Sequence, residues 1–276
     1  MQPFVDFARS HGLLISELRD DGHVHRCPTT EHPRARNGAY RLDGDWGWVQ
    51  DWAIHMEPVI WRAAGNDAGV PITPRRDIEA IRREDTARKV EAATVASVIV
   101  NRCSTGTHPY LARKGFPEAI GLIDTDGRLV LPMRDAQDYK RVNSVQWVND
   151  AGSKLFLPGG AAKGSELMIG AGAEYWLCEG YVTGLSIRAA LQHLHRPARV
   201  VVCFSAGNLM HVADQMGGRR HVIADNDRSG TGERVAVATG LPWVMPPNVG
   251  MDANDYHQEH GVAALASLMR GVATYG

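Results

Sequence analysis

Residues 221–240 read HVIADNDRSGTGERVAVATG, and this stretch decides the fold. A short apolar run ends in Asp225, Asn226 and Asp227. A Ser-Gly-Thr-Gly turn follows, then a helix-like segment. Two carboxylates one residue apart repel each other. On a strand, however, residues i and i+2 point the same way, so Asp225 and Asp227 are expected to face one site together. A pair of this kind also occurs in plain helix caps and turns, and Ser229 and Gly230 could serve such a turn with no further function.

The surroundings give the pair its meaning. From about residue 171, strand-like and helix-like segments alternate: EYWLCEG, TGLSIRAALQHLH, RVVVCFSAG, NLMHVADQMGG, RHVIADND, ERVAVATG, LPWVMPP and DANDYHQEHGVAALASLMRG. Near-continuous apolar strands in alternation with helices predict a mostly parallel sheet covered on both faces. Ligands of such sheets bind beyond the C-terminal strand ends. Glu179 ends the first of these strands and the Asp225/Asp227 pair ends the third. Asp252 and Asp255 open the segment after the fourth. Held close together, these acids raise one another's pKa unless a cation neutralises them. Hard oxygen donors without Cys or His suit Mg²⁺ or Mn²⁺, and zinc is not expected.

Upstream, GRLVLPMRDA, RVNSVQWVND and KLFLPGG predict a β-rich lobe over 111–170, preceded in that span by the end of a short helix, HPYLARKGFPEA, closed at Gly115. Arg134, Lys140, Arg141, Lys154 and Lys163 lie among these strands and turns as candidate nucleotide or DNA contacts, with a solvated surface charge as the plain alternative for each. Residues 63–110 read as a linker, AAGNDAGVPITP, and a long charged helix. Residues 1–62 read as a small β module behind a short helix ended by Gly12. His23, His25, Cys27 and His32 of that module match no common zinc spacing. Its basic loop (Arg26, Arg34, Arg36) and its aromatics (Tyr40, Trp46, Trp48, Trp52) suit single-strand binding by charge and stacking as well as ordinary packing.

Composition narrows the function classes. The 276 residues are 44% hydrophobic and 22% charged, as in ordinary globular domains. The net charge of −1 gives no global polyanion-binding signature, which leaves a local basic groove open. Cys27, Cys103, Cys178 and Cys203 are scattered and predict neither a disulfide framework nor a thiolate metal site. The N-terminus lacks the basic-then-apolar order of a signal peptide, and no apolar run reaches the length of a membrane span. A cytoplasmic protein without membrane contact is the expectation.

CEGYVTGLSI, VIADNDRSGTG and MDANDY together resemble the Toprim domain shared by bacterial and phage primases, topoisomerases and some nucleases. LVLPMRDA, SVQWVNDAGSKLFLPGG and FSAGNL resemble the plasmid- and phage-borne primases of that family. Residues 1–62 resemble, more weakly, the primase zinc ribbon with its ligands largely lost. The resemblance implies an α+β N-terminal part with a small β-rich lobe, followed by an α/β Toprim catalytic domain over 171–276. It also implies that Glu179 assists proton transfer or metal binding and that Asp225, Asp227 and Asp252, with Asp255 beside them, hold metal. Thr183 and Asn254 depart from the family pattern, which often has acids there, and this implies a leaner site.

The activity implied is that of a DNA primase, making short RNA primers on single-stranded DNA from nucleoside triphosphates in phage or plasmid replication, with Mg²⁺ or Mn²⁺ as cofactor. A Toprim nuclease using the same acids to activate water is the enzymatic alternative. A replication-associated DNA-binding module without catalysis is the other. The chain is too short for the strand-passage domains of a topoisomerase. GxxxxGK[ST] is absent, so any helicase partner is a separate chain.

Overall fold

The structure is a computed structural model and describes residues 2–52, 54–55, 57–63 and 78–273. The linker expected over 63–74 lies outside these residues except for Ala63. Two compact units form, Met1–Asp85 and Thr86–Gly276.

In the first unit, helix α1 (Gln2–Ser10) places Phe4, Phe7 and Ala8 on one face by i, i+3, i+4 spacing. Gly12, at φ 79°, ends the turn after it. Strands β1 (His25–Cys27), β2 (Gly38–Asp43), β3 (Trp46–Asp51) and β4 (Val59–Arg62) form an antiparallel sheet in that order. Phe4, Leu13, Tyr40, Leu42 and Val49 are its core. Gly47 is required where α1 crosses the sheet, because a Cβ there would come within 2.7 Å of the Phe4 ring. Cys27 packs into this core, and burial pushes its thiol up to about 11. His25 binds the Asp21 carboxylate at 2.7 Å. Of the aromatic set, Tyr40 belongs to the core, whereas Trp52 is exposed with the Arg26 guanidinium over its ring at 5.5 Å.

Helix α2 (Ile78–Arg102) leads into the second unit. The elements that follow are β5 (Ser104–Gly106), α3 (Pro109–Arg113), β6 (Gly121–Ile123), β7 (Leu129–Asp135), β8 (Val142–Val148), β9 (Lys154–Phe156) and β10 (Ser165–Gly170). Then come β11 (Glu174–Cys178), α4 (Tyr181–His193), β12 (Arg199–Val202), α5 (Ala206–Gln215), β13 (Arg219–Ile223), α6 (Thr231–Ala238), β14 (Trp243–Val244) and α7 (Ala253–Ala273). Strands β14, β13, β11 and β12 are parallel neighbours. Strand β10, antiparallel to β12 and to β7, joins this parallel part to the antiparallel part β7, β6 and β5, with β8 and β9 extending from β7. One sheet therefore runs through both regions that the sequence separates at residue 170.

Helices cover the parallel strands on both sides, as continuous apolar strands require. Trp176 and Cys178 face the side packed by Ile187 of α4 and Leu265 and Met269 of α7. Leu177, one residue between them, faces Leu209 of α5 and Val235 of α6. Each such fully buried large side chain contributes about 1.5–3 kcal/mol relative to exposure. On the antiparallel part, Ala92 and Ala96 of α2 are buried one helical turn apart, and Ala96 packs against Val130, Val145 and Trp147. Among the described residues no helix is long and apolar enough to cross a membrane.

Candidate active site

The C-terminal ends of the parallel strands open into a cavity of about 340 Å³. Glu179, Asp225 and Asp252 line it together with Lys154 and Lys114. Each acid arrives there by a distinct piece of local structure.

Glu179 is the residue after β11, and Gly180 after it starts α4. Strand β12 ends in a sharp turn in which Phe204 takes φ 67°, a conformation costly for a residue with a Cβ. The turn is tied down where the Phe204 amide donates to the Glu179 carbonyl at 2.8 Å. Ser205 caps α5, its hydroxyl accepting from the Asn208 amide. The Ala206 amide at the start of α5 donates to the Glu179 carboxylate. Burial raises the Glu179 pKa, the nearby Lys154 charge opposes the rise, and the negative charge of Asp227 adds to it.

Strand β13 ends at Ile223, earlier than the run RHVIADND suggests. The chain leaves the sheet because Asn226 bridges to Met251 instead: its amide donates to the Met251 carbonyl at 3.0 Å, and its side-chain Nδ2 donates to the Pro246 carbonyl at 2.9 Å. These bonds draw the segment after β14 against the end of β13 and bring Asp252 beside Asp225. The two acids of the DND triplet are consequently held differently. Asp225 lines the cavity, and its Oδ1 is buried with no hydrogen-bond partner among the described residues. Burial pushes its carboxyl up to about 8, and the charges of Glu179 and Asp252 add to the shift while Lys154 opposes it. Asp227 turns to the first turn of α6. It accepts from the Gly232 amide at 2.7 Å, from the Thr231 amide at 3.2 Å and from the Ser229 hydroxyl. Burial pushes Asp227 up, but these bonds outweigh it and leave the carboxyl below its ordinary value. Gly232 has no substitute here, since a Cβ would stand 2.1 Å from the Asp225 carbonyl oxygen.

Asp252 caps α7, one carboxylate oxygen accepting from the Asp255 amide at 2.8 Å. Asp255 does not line the cavity; it pairs with Lys114 at 3.1 Å. Burial lowers the Lys114 pKa, but the bond to Asp255 and the charges of Asp255 and Asp252 outweigh it and raise the pKa overall. Asn254 is fully buried and hydrogen-bonded to the Lys114 carbonyl and the Ser186 hydroxyl. It ties α7 to α3 and α4, away from the acids. Thr183, also buried, does line the cavity.

The basic candidates separate in the same way. Lys154, on β9, lines the cavity. Lys163 is exposed in the segment between β9 and β10. Arg134 closes the β7–β8 turn, donating to the Tyr139 carbonyl at 3.2 Å with its guanidinium over the Tyr139 ring. Lys140 and Arg141 are exposed in that turn. The sequence reading missed Tyr110, Lys114, Gln146 and Phe204, all in the cavity wall. Lys114 carries no motif. Its closeness to the charged Asp255 comes only from the packing of α3 against α7.

A hard divalent cation needs oxygen donors, and the cavity supplies carboxylates. Among the described residues no three carboxylates converge on one point as a ready-made cage. The unpartnered buried oxygen of Asp225, on a carboxyl raised by burial and then by the charges of Glu179 and Asp252, is nevertheless a group that a cation would satisfy. One or two carboxylates, with water and substrate phosphate completing the shell, is the usual manner of Mg²⁺ binding. The residues fit such an ion.

No family model matches the chain. Among solved structures, a chain in the bacteriophage T7 lagging-strand DNA polymerase interacting with primase domains of two gp4 subunits, bound to an RNA/DNA hybrid and dTTP, is 14% identical with a TM-score of 0.39. That match covers 59% of this chain and 85% of the other. The DnaG catalytic core is 16% identical with a TM-score of 0.38, over 70% of this chain and 72% of the other.

Proposed function

We propose that the chain is a primase-like nucleotidyltransferase that joins nucleoside triphosphates on a single-stranded DNA template, with Mg²⁺ or Mn²⁺ as cofactor. The observation that carries this reading is that one cavity gathers both signs of charge: Glu179, Asp225 and Asp252 together with Lys154 and Lys114. Acids alone suit a cation, and lysines alone suit an anion. Both together suit a metal-bound triphosphate, whose transfer needs little from the protein beyond positioning and counter-charge. The sequence resemblance to Toprim primases supplies the substrate class.

Asp225 and Asp252 would hold the ion, with Glu179 and Asp227 adjoining. When bound, the ion supplies charge neutralisation of the triphosphate and lowers the pKa of the attacking hydroxyl. Glu179, raised by burial and fixed by the Ala206 amide, is placed to accept that hydroxyl's proton. Lys154 and Lys114 are placed to meet the phosphate oxygens and the leaving pyrophosphate. Arg134, Lys140, Arg141 and Lys163 lie outside the cavity wall, and their part in this reading is the longer path of the template strand.

The test is a paired assay. With template and nucleoside triphosphates the wild type should yield new oligonucleotides, and with template alone it should leave the strand intact. Cleavage without nucleotides would assign the same acids to a nuclease. Binding with neither reaction would leave a DNA-binding module.

A further inference from the structure

Phe156 stands apart from the other phenylalanines of the chain. Phe4, Phe7, Phe116 and Phe204 belong to the apolar clusters or pack against them. Phe156 joins none of these clusters and is 40% exposed. It ends β9, a strand paired with β8 whose three residues are all exposed. A single exposed ring on an ordinary surface needs no explanation. The position of this ring beside the cavity gives it one.

Residues directly opposite in an antiparallel pair share a face, and so do residues two apart on a strand. Phe156 is opposite Gln146, and Lys154 comes two residues before it on β9. Gln146 and Lys154 both line the acid-and-lysine cavity. From Lys154 the wall runs back through Gly152 and Ala151, away from Phe156. The ring therefore lies on the cavity's face of the sheet, just outside the wall. Further along that face the surface is closed by the turn after β9, where a Cβ on Gly160 would overlap the Ser144 hydroxyl. Phe156 is thus an exposed ring at the cavity rim, with Lys154 before it and the exposed Lys163 in the segment that follows.

The occupant follows from these two chemistries side by side. An apolar protein segment would cover the ring but would leave the Lys154 ammonium without a counter-charge. A single nucleic-acid strand offers both a flat base for the ring and a phosphate for the lysine. In nucleotidyl transfer the substrate nucleotide is held by its triphosphate inside the cavity, so the strand that pairs with it passes outside the wall. We infer that Phe156 stacks on a base of the single-stranded template at the cavity rim and so positions the strand, which rests on the nucleotidyl-transfer reading. Every base has a π-face, so this contact holds the strand without reading its sequence. A duplex, whose bases are already stacked on one another, cannot use the ring.

The experiment measures equilibrium binding of wild type, Phe156→Leu and Phe156→Tyr, each as the full chain with chelator present. The probes are a labelled mixed-sequence DNA single strand, its duplex, and an abasic strand of the same length. Leucine keeps the apolar volume and removes the π-face; tyrosine keeps the π-face. Phe156→Leu should bind the single strand about tenfold more weakly than wild type, and Phe156→Tyr should match wild type. All three should bind the duplex alike and the abasic strand alike. Equal single-strand binding by wild type and Phe156→Leu would overturn the inference, as would a wild type that binds no single strand. A Phe156→Leu defect that persists on the abasic strand, or that Phe156→Tyr shares, would also overturn it, because the ring would then act through the fold. Primer synthesis is followed in parallel, and Phe156→Leu should raise the template KM more than it lowers kcat. No synthesis from any of the three, with the binding pattern intact, would overturn the transfer reading and leave the stacking assignment standing.

Discussion

Replacing Asp225 by Asn should stabilise the ligand-free protein, and the gain should grow with pH. The Asp225 carboxyl stands at about 8 in the fold against an ordinary 3.8. An acid raised on folding binds more protons in the native than in the unfolded state between those two values. Stability is therefore lost as pH rises through that window and levels off above about pH 8. At about pH 7.5 the full shift corresponds to a ceiling of about 5 kcal/mol, and relaxation of the site reduces the observable to roughly 2 kcal/mol. Asn keeps the shape of the side chain and cannot ionise. The assay is hydrogen exchange of the β11 and β13 amides, which reports the opening free energy of this unit apart from the N-terminal one. Wild type and Asp225→Asn are compared at intervals from about pH 5 to about pH 8 with chelator present. The difference should be small at the acid end and widen steadily. Added Mg²⁺ should then stabilise the wild type with proton release and leave Asp225→Asn nearly unchanged. A variant less stable than wild type at pH 8, or a difference that does not vary with pH, would refute the strain assigned to Asp225.

Three further outcomes follow from particular contacts. Glu166 is fully buried in β10, neither carboxylate oxygen has a partner among the described residues, and burial with the nearby Asp135 charge pushes it up to about 7. Its contribution to stability should fall as pH rises from about 4.5 to about 7, and Glu166→Gln should remove that slope, worth about 3 kcal/mol at most, in pH-dependent denaturation. Gly232→Ala should cost roughly 1–3 kcal/mol by overpacking against the Asp225 carbonyl, and should weaken Mg²⁺ binding measured by calorimetry. Asn226→Ala should cost about 1 kcal/mol for the bond to the Pro246 carbonyl, and should lower kcat more than it raises nucleotide KM, because Asp252 loses its placement beside Asp225.

The sequence carries the parallel part of the fold well, and the reasons are local. Leu177, Val201 and Val222 belong to continuous apolar runs bounded by turn residues, and the acids fall at their ends. The antiparallel strand β10 was not legible. SELMIG carries a buried Ser165 and Glu166 that disguise a strand lying between β7 and β12. The candidate site divides the same way. Glu179, Asp225 and Asp252 follow from the strand-end rule. The different hold on Asp227 depends on α6 amides that no spacing reveals. Gln146 gives no signal of its own, because SVQWV alternates polar and apolar and Gln146 falls at one of the polar positions. Its place in the cavity wall emerges only from the pairing of β8 with β7 and β9.

The central claim is that the acid-and-lysine cavity transfers nucleotides on a template under metal control. Primer synthesis tests it most directly. Wild type and Asp225→Ala are incubated with mixed single-stranded DNA templates, labelled nucleoside triphosphates and Mg²⁺ or Mn²⁺. Short labelled oligonucleotides from wild type, lost in Asp225→Ala and on chelation, are the expected result. Synthesis undiminished in Asp225→Ala, or none from wild type across varied templates and both metals, would contradict it.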